Sequence, residues 1–327
     1  MPSHIIHVSV GVLINKEGQV LLSKRLKHVP QGDLWEFPGG KLIPGENSKA
    51  ALYREIFEEL GIQIIKARPF IQLHYNYPDQ PTKLDVWLVM EWDGIPISKE
   101  GQPVKWVNKS DLSKLDFPPA NDMIIKALNL PRLYLISPGP QGDIANFYCK
   151  IKNCIDAGVK LLQLRCNEEI FQNEPEIITR VLSMCRENNT RLLLNSSPAT
   201  AVAHCVDGVH LNSVRLLQLN ERPLDKEYLV SASCHSQNEL VHASRVGVDF
   251  VVLSPVKNTP SHPDAKPLGW RKFSQLVNGL NIPVYALGGM QPEDLDTAWG
   301  YGAQGIAMLS GVWSSSKPAE IIMNCFQ

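Results

Sequence analysis

The second half of the chain repeats one local pattern, and that pattern leaves few folds open to it. From Arg132 onward, short apolar runs alternate with stretches of helical character. The runs occupy residues 133–136, 161–164, 192–194, 208–211, 228–231, 250–253, 284–287 and 305–308. Strands that alternate with helices form a parallel sheet, and parallel strands buried on both faces are continuously apolar. Eight such units in roughly 200 residues predict a TIM (β/α)8 barrel.

The first half of the chain has a different pattern, which predicts antiparallel strands. Strands are expected at residues 4–14, 20–25, 70–77 and 84–92, with turns at Gly18 and at 78–81. Residues 117–128 predict a helix with proline in its first turn. With the helix of the acidic segment described below, these elements predict a mixed α/β sandwich. The pattern changes at 128–131, so we expect two domains, 1–130 and 131–327.

Composition narrows the class of protein further. The 327 residues exceed one usual core, and the 44% hydrophobic and 20% charged fractions are those of an ordinary soluble protein. The net charge of −1 gives no electrostatic reason to bind polymeric nucleic acid. We find no apolar span of membrane length and no signal-peptide pattern. The seven cysteines form no CxxC pairs, and their odd number argues against a complete disulfide framework, so we expect a reduced, cytoplasmic protein.

An acidic stripe stands out in the first domain. Glu55, Glu58 and Glu59 fall at i, i+3 and i+4, so on a helix they share one face. Residues predicted to pack that helix against a sheet are Leu52, Tyr53, Ile56, Phe57 and Leu60. Taken alone, such a charge run is usually a solvated face. The alternative is a site for Mg²⁺ or Mn²⁺, since hard cations prefer oxygen ligands and also bind phosphates.

The residues around the stripe complete a fixed frame. The order Gly-x5-Glu-x7-Arg-Glu-apolar-x-Glu-Glu-x-Gly-apolar runs without a gap from Gly40 to Ile62. This frame is the Nudix box, and residues 36–41, 99–103 and 116–121 extend the similarity, so the first domain resembles the MutT type of Nudix hydrolase. The resemblance implies an α/β/α sandwich and a Mg²⁺- or Mn²⁺-dependent pyrophosphohydrolase. Its implied substrate is a small-molecule nucleotide, an oxidised guanine triphosphate that is cleaved to the monophosphate and pyrophosphate.

The same resemblance implies roles for single residues. The implied catalytic residues are Glu46, Arg54, Glu55, Glu58, Glu59 and Glu100, of which Glu55, Glu58, Glu59 and Glu100 hold the metal. The implied substrate contacts are Arg25, Phe37, Gly39, Gly40 and Asn121. Glu46 and Glu100 are both candidates for the general base.

Three of these assignments have structural alternatives. The Asn121 amide can bond a purine edge or cap the helix that begins near it. Arg25 could be a surface strand residue, and Glu100 a solvated loop acid. Gln80 departs from the family, because the family relative has arginine at this position.

The second domain resembles the thiamine phosphate synthase/TenI superfamily. The similarity rests on residues 163–165, 208–211, 233–236, 253–256 and 287–290, which all lie at predicted strand ends where barrel active sites assemble. The implied site residues are Arg165, Asn195, His235, Gly288 and Gly289. The implied ligand is a thiamine-precursor phosphate. Gly288 and Gly289, with Gly305 and Ser310, suit a backbone phosphate site, although two adjacent glycines also make a tight turn.

Departures from that superfamily limit the expected chemistry. Synthases place lysine where this chain has Asn167, and a Mg²⁺-binding aspartate where it has Ser196. The loop 257–263 also differs from their threonine- and lysine-rich loop. The lost charges would compensate departing pyrophosphate, so we do not expect thiamine phosphate synthesis. A TenI-like tautomerase with His235 as acid-base group, a structural His235, and a non-catalytic sensor remain open. For the first domain, another nucleotide diphosphate derivative remains the alternative substrate.

Overall fold

The computed structural model describes residues 5–27, 31–77, 81–140, 142–166, 168–259 and 264–326. The chain forms two compact units. One comprises Met1–Asn129 with Gly279–Asn281, and the other comprises Leu130–Asn278 with Ile282–Gln327. Gln80, Asn167 and residues 260–263, on which part of the sequence argument rests, lie outside the described residues.

The first unit is a sandwich of sheet between helices, as predicted. Its strands are β1 Ile6–Leu13, β2 Gln19–Lys24, β3 Trp35–Glu36, β4 Gly39–Lys41, β5 Gln63–Asn76, β6 Pro81–Asp93 and β7 Val104–Asn108. Its helices are α1 Ser48–Leu60 and α2 Asn121–Leu128, with a 3₁₀ turn at Lys109–Lys114. One sheet has the order β4-β1-β6-β5, in which only β1 and β6 are parallel, and the other has the order β3-β2-β7. Two apolar clusters, one under each helix, fill the layers.

Local chemistry sets the limits of α1. The side chain of Asn47 accepts a hydrogen bond from the Ala50 N–H at 2.9 Å, which caps the first turn. Gly61 ends the helix in the left-handed region at φ 70°. Leu52, Ile56 and Leu60, spaced by four residues, are fully buried against the sheet.

Two sequence expectations for the helices are wrong. Phe57 does not pack on the sheet, because it is 54% exposed. It follows Ile56 by about 100° around the helix, which turns its ring outward. The helix predicted from residue 117 begins at Asn121, so Pro118 and Pro119 precede it instead of forming its first turn.

The second unit is a closed barrel of eight parallel strands, as predicted. The strands are β8 Leu133–Ser137, β9 Leu161–Leu164, β10 Arg191–Leu194, β11 Gly208–Leu211, β12 Leu229–Cys234, β13 Phe250–Leu253, β14 Val284–Ala286 and β15 Gly305–Met308. They close in the order β10-β11-β12-β13-β14-β15-β8-β9. Rings of Tyr134, Phe250 and Tyr285 pack inside, with the Phe250 centroid 5.2 Å from Tyr134 and 5.3 Å from Tyr285. β12 extends to Cys234, three residues beyond the predicted run, which makes Ser233 a strand residue.

Helices surround this barrel. They are α3 Ile144–Asp156, α4 Glu168–Asn173, α5 Glu176–Glu187, α6 Pro198–Ala203, α7 Ser213–Leu217, α8 Gln237–Val246, α9 Gly269–Val277, α10 Leu295–Gly300, α11 Ser310–Trp313 and α12 Pro318–Asn324. All seven cysteines are free thiols. Within the described ranges, every helix is too short or too polar to cross a lipid bilayer.

Candidate functional site

Bare glycine backbone brings β4 against α1. A Cβ atom on Gly40 would lie 2.2 Å from the carboxyl carbon of Glu55. A Cβ on Gly39, whose φ is +145°, would lie 2.2 Å from the carbonyl oxygen of Ser9. Any side chain at these positions would collide with the helix carboxylate or with β1. The glycines therefore let the Glu55 carboxyl rest directly on the strand backbone.

Arg54 gathers three carboxylates around one guanidinium. Its Nε and Nη2 donate to the two oxygens of Glu46 at 3.0 and 2.8 Å. Its Nη1 donates to Glu55 at 2.7 Å and to Glu58 at 3.1 Å. The bond to Glu46, followed by that to Glu55, raises the pKa of Arg54, and the bond from Arg54 lowers the pKa of Glu46. The loop that carries Glu46 is thereby fixed to the helix.

The surroundings of Glu59 disfavour ionisation of its carboxyl group. It is half-buried, and the Gly39 N–H donates to its Oε2 at 3.3 Å. Burial, and next the negative field of Glu36, raise the pKa of Glu59 to about 8, with smaller contributions from Glu100 and Glu55. Glu36 and Glu100, which lie outside the helix, are therefore close enough to raise the pKa of a carboxyl in the acidic stripe. A cation placed among them would relieve this repulsion.

The strand before the glycine loop carries an ion pair. Arg25 Nη1 donates to Glu36 Oε2, and both side chains are less than one-third exposed. Burial raises the pKa of Glu36, and the neighbouring Arg25 opposes that shift. Arg25, which directly follows β2, is thus held by Glu36.

Asn121 begins α2 but does not cap it. The N-cap is Ala120, which makes no side-chain cap bond, and Asn121 is only 6% exposed. Its amide is therefore not used to cap the helix. Phe37 is 3% exposed and stacks on Phe117 at 6.0 Å between centroids, so its ring belongs to the core. Only its backbone is left to meet a ligand.

The barrel contains a cavity of about 210 Å³ at the C-terminal ends of its strands. Its lining includes Gln163, Arg165, Asn195, His210, Ser233, His235, Gly288, Gly289 and Ser310. An outer pocket of about 920 Å³ shares Arg165, Asn195, Asn212 and Leu309 with it. Gly305 does not line the cavity, contrary to expectation. It lies at the start of β15, where a Cβ would collide with the Arg132 carbonyl at 2.0 Å.

Gln163 is the unusual residue of this cavity. It is 1% exposed, and neither polar atom of its amide has a hydrogen-bond partner among the described residues. Buried amides are normally paired, and an unpaired one costs about 1–3 kcal/mol. A ligand in the cavity would supply the missing partners.

His210 orders the hydroxyl groups beside Gln163. Its Nδ1 lies 2.8 Å from Ser231 Oγ, and its Nε2 lies 2.7 Å from Ser233 Oγ. The hydroxyl of Tyr134 also lies 3.2 Å from Nδ1, and that of Ser231 donates to the Val209 carbonyl at 3.4 Å. Burial lowers the pKa of His210 to about 3, which keeps the ring neutral. Ser233, held by His210, lines the cavity with its hydroxyl group.

His235 and Arg165 stand nearer to solvent. The Nδ1 of His235 donates to the Ser254 carbonyl at 2.9 Å. The Arg165 guanidinium has no ion pair or hydrogen bond within the described ranges. At the outer pocket Glu168 is held by Arg215 at 2.6 Å and by Thr200 at 3.2 Å.

Comparison with known proteins assigns each of the two units to a protein family. A family model described as NUDIX domain matches residues 9–127, and one described as Thiamine monophosphate synthase matches residues 133–312, more than half of the chain. The chain belongs to both families. Its first domain is a Nudix hydrolase, and its second is a thiamine monophosphate synthase family barrel. The two resemblances inferred from the sequence are thus confirmed.

Individual relatives agree with this division. The "8-oxo-dGTP diphosphatase" of Escherichia coli strain K12 is 37% identical over 123 residues, which are 38% of this chain and 95% of that protein. "Putative thiamine-phosphate synthase 2" of Aquifex aeolicus is 32% identical over 184 residues, 56% of this chain and 98% of that protein. A solved thiamine phosphate pyrophosphorylase from Pyrococcus furiosus has 21% identity and a TM-score of 0.50, covering 60% of this chain and 93% of its own, which shows the barrel fold.

The donor set of the Nudix domain fits a hard divalent cation. The candidate donors are carboxylate oxygens only, and a cation among them would favour ionisation of Glu59, whose pKa is raised by burial and by Glu36. Among the described residues, no three potential ligands already converge in a metal-binding arrangement. Arg54 instead holds two of them, Glu55 and Glu58. A bound ion would compete with the guanidinium for these oxygens.

Several residues at both sites are not predicted by the sequence motifs. Glu36 pairs with Arg25 and raises the pKa of Glu59. Gln163 and His210 line the barrel cavity. The usable signal was a polar residue within an otherwise apolar barrel strand, since such a position points into the barrel.

Proposed function

We propose that residues 1–130 form a metal-dependent pyrophosphohydrolase that converts 8-oxo-dGTP to 8-oxo-dGMP and pyrophosphate. The observation that carries the proposal is the Arg54 network, which holds Glu46, Glu55 and Glu58 on the same helix as Glu59, whose pKa is raised. The diphosphatase name of the 37% identical relative agrees with it. The inferred biological role is removal of an oxidised nucleotide before it enters DNA.

The metal would be Mg²⁺ or Mn²⁺, held by Glu55, Glu58, Glu59 and Glu100. Bound there, such an ion supplies charge neutralisation for the triphosphate and acidifies a water. Arg54 sets the position of the helix carboxylates through charge-assisted bonds. Both oxygens of Glu46 are engaged by Arg54, and its pKa is lowered, so Glu46 is a poor proton acceptor. Of the two candidates for the general base we therefore favour Glu100, which would in that role face the water and leave the ion to Glu55, Glu58 and Glu59.

Recognition of the base is assigned to α2 and β3. The amide of Asn121 can donate and accept along one purine edge. The backbone of Phe37 adjoins Gly39 and Gly40, over which the phosphates would pass. Arg25 contributes through its pair with Glu36.

Turnover of 8-oxo-dGTP, dGTP and ADP-ribose tests the substrate. We expect 8-oxo-dGTP to have the highest kcat/KM, and EDTA to abolish turnover until Mg²⁺ or Mn²⁺ is restored. Equal turnover of dGTP would reject the oxidised guanine as substrate. Preference for ADP-ribose would favour the alternative, a hydrolase of another nucleotide diphosphate derivative.

For residues 131–327 we propose binding of a thiamine-related phosphate, as a sensor or a TenI-like tautomerase. The unpartnered amide of Gln163 inside the cavity favours a bound ligand. Arg165, Asn195, His235, Gly288 and Gly289 all line that cavity. Thermal shift with thiazole phosphate is the test, and an unchanged barrel transition would count against the proposal.

A further inference from the structure

We propose that Ser98 and Gln102 are positioning residues of the Nudix hydrolase, because the hydrogen bond between them closes the loop that presents Glu100 to the acidic helix. The inference rests on the proposed function of residues 1–130, in which Glu100 takes part in hydrolysis. It deepens that function, since the motif at residues 99–103 assigns a role to Glu100 alone. Ser98 and Gln102 act through Glu100 and take no part in the reaction themselves.

The loop is anchored on one side to the end of α1. The last carbonyl groups of a helix have no partner within the helix. Here the N–H of Lys99 donates to the Glu59 carbonyl at 2.9 Å, and that of Ile97 donates to the Leu60 carbonyl at 3.0 Å. The stem of Lys99 also lies over Gly61, where a Cβ atom would be 2.5 Å from Lys99 Cε. The residue before Glu100 is thus bonded to the backbone of a stripe residue.

The loop is anchored on its other side to β2. The carbonyl of Pro103 accepts a hydrogen bond from the Lys24 N–H at 2.8 Å. Directly after it, Val104 begins β7 and pairs with Ser23. Between the two anchors Gly101 turns the chain at φ 84°, a conformation that favours glycine. Residue 100 therefore lies at the tip of a turn whose two ends are fixed.

The bond between Ser98 and Gln102 spans this tip. The hydroxyl of Ser98 donates to Oε1 of Gln102 at 3.1 Å. Ser98 precedes Glu100 by two residues and Gln102 follows it by two. Gln102 is only 7% exposed, although amide side chains are mostly exposed in folded proteins. Because a buried side chain has little rotamer freedom, the bond sets the width of the turn.

Glu100 needs such support because its own side chain is exposed. Burial and Glu36 raise the pKa of Glu59 most, and Glu100 adds to them, so its carboxylate lies near the stripe. An exposed carboxylate on a mobile loop would sample many positions and would seldom occupy the reactive one. Holding a group in place before the reaction removes that entropic cost. The Ser98–Gln102 bond supplies this order without contacting the substrate.

Steady-state hydrolysis of 8-oxo-dGTP by the full chain in saturating Mg²⁺ tests the proposal. Ser98→Ala removes the donor of the bond, and Gln102→Met removes the acceptor at similar length. For each we expect kcat to fall by roughly 10-fold and KM to stay near the wild-type value, as for a residue that only orients a reacting group. The matched control is Ser110→Ala in the exposed 3₁₀ turn, which should behave as wild type.

A double-mutant cycle separates positioning from a general loss of folded protein. In a Glu100→Gln background, Ser98→Ala should lower kcat no further, because the bond acts only through Glu100. A residue needed only for folding would lower kcat by the same factor in both backgrounds. Amide hydrogen exchange gives a readout that needs no turnover. We expect the N–H groups of Ile97 and Lys99 to exchange faster in Ser98→Ala than in wild type.

Each remaining outcome counts against the inference. Wild-type kcat in Ser98→Ala, equal losses in both backgrounds, or unchanged exchange at Lys99 would overturn it while leaving the hydrolase intact. Wild-type kcat in Glu100→Gln would do the same, since the bond would then have nothing to position. A wild-type protein that hydrolyses no nucleotide with Mg²⁺ or Mn²⁺ would instead reject the proposed function, and the positioning role with it.

Discussion

Arg54 and Glu46 form a two-point ion pair, with Nε 3.0 Å from Oε1 and Nη2 2.8 Å from Oε2. This pair fixes the plane of the guanidinium, so that Nη1 is left to meet Glu55 and Glu58. A flat, five-donor group is needed to bond three carboxylates at once. The arrangement of the Nudix helix therefore depends on a residue that need not touch the substrate.

Arg54→Lys should disorganise the site while keeping its charge. A lysine cannot make the two-point contact with Glu46, so we expect kcat to fall by roughly 10- to 100-fold. Steady-state hydrolysis of 8-oxo-dGTP measures the effect. Arg271→Lys on α9 is the matched control. Wild-type kcat in Arg54→Lys would mean that the bidentate geometry is dispensable.

Gly40→Ala should displace the carboxyl of Glu55. The new Cβ would lie 2.2–2.4 Å from the three carboxyl atoms, whereas Gly40 has no positive φ to lose. We expect weaker activation by Mg²⁺ and lower activity with little loss of fold. Gly300→Ala, where a Cβ meets nothing within 4 Å, is the control. An unchanged Mg²⁺ dependence would contradict the predicted contact between residue 40 and the metal site.

Glu58→Gln should remove activity and spare stability. Loss of a residue that only orients a metal ligand lowers activity by about 10- to 100-fold. Because Glu58 is a proposed ligand itself, we expect kcat to fall by about 100-fold or more. Glu58 is half-exposed, so its pair with Arg54 contributes little to folding. Kinetics and thermal unfolding are compared with Glu91→Gln, an exposed strand residue. Retained activity would show that the acidic stripe is a solvated face.

Asn121→Ala should alter base preference without loosening α2. The side chain makes no cap bond, so we expect the melting temperature to stay near that of wild type. The ratio of kcat/KM for 8-oxo-dGTP over dGTP should fall by roughly 10- to 100-fold, since a bidentate base contact contributes about 1–3 kcal/mol. If stability falls and the ratio does not, Asn121 is a structural residue.

His210 should make the barrel sensitive to acid. Burial lowers its pKa from 6.5 to about 3, so between these values the unfolded chain binds a proton that the folded chain does not. Stability is therefore lost as pH falls from about 6.5 toward 3. His210→Gln should flatten this part of the pH profile of the barrel unfolding transition. Imidazole ¹⁵N NMR is the direct check, and a charged ring at pH 6 would refute the assignment.

The hydrophobic periodicity and the spacing of the motif residues predict much of the fold. Eight apolar runs predicted the parallel barrel because buried strands must be apolar on both faces. The Nudix frame predicted the metal-type helix because its glycines and carboxylates are needed at fixed spacing. The prediction that Phe57 packs on the sheet is wrong, because the helical pattern does not show how wide the buried face of the helix is. Three residues spaced by four already filled the space against the sheet.

The sequence by itself determined the two families, the layer order of each unit and the residues of the acidic helix. Only the tertiary structure decided which of those residues meet. The bond of Arg54 to Glu46 and the contact of Gly40 with Glu55 join a loop or strand to a helix. The unpaired amide of Gln163 depends on strands far apart in the chain. Such relations follow from packing in three dimensions, and local propensity contains no information about them.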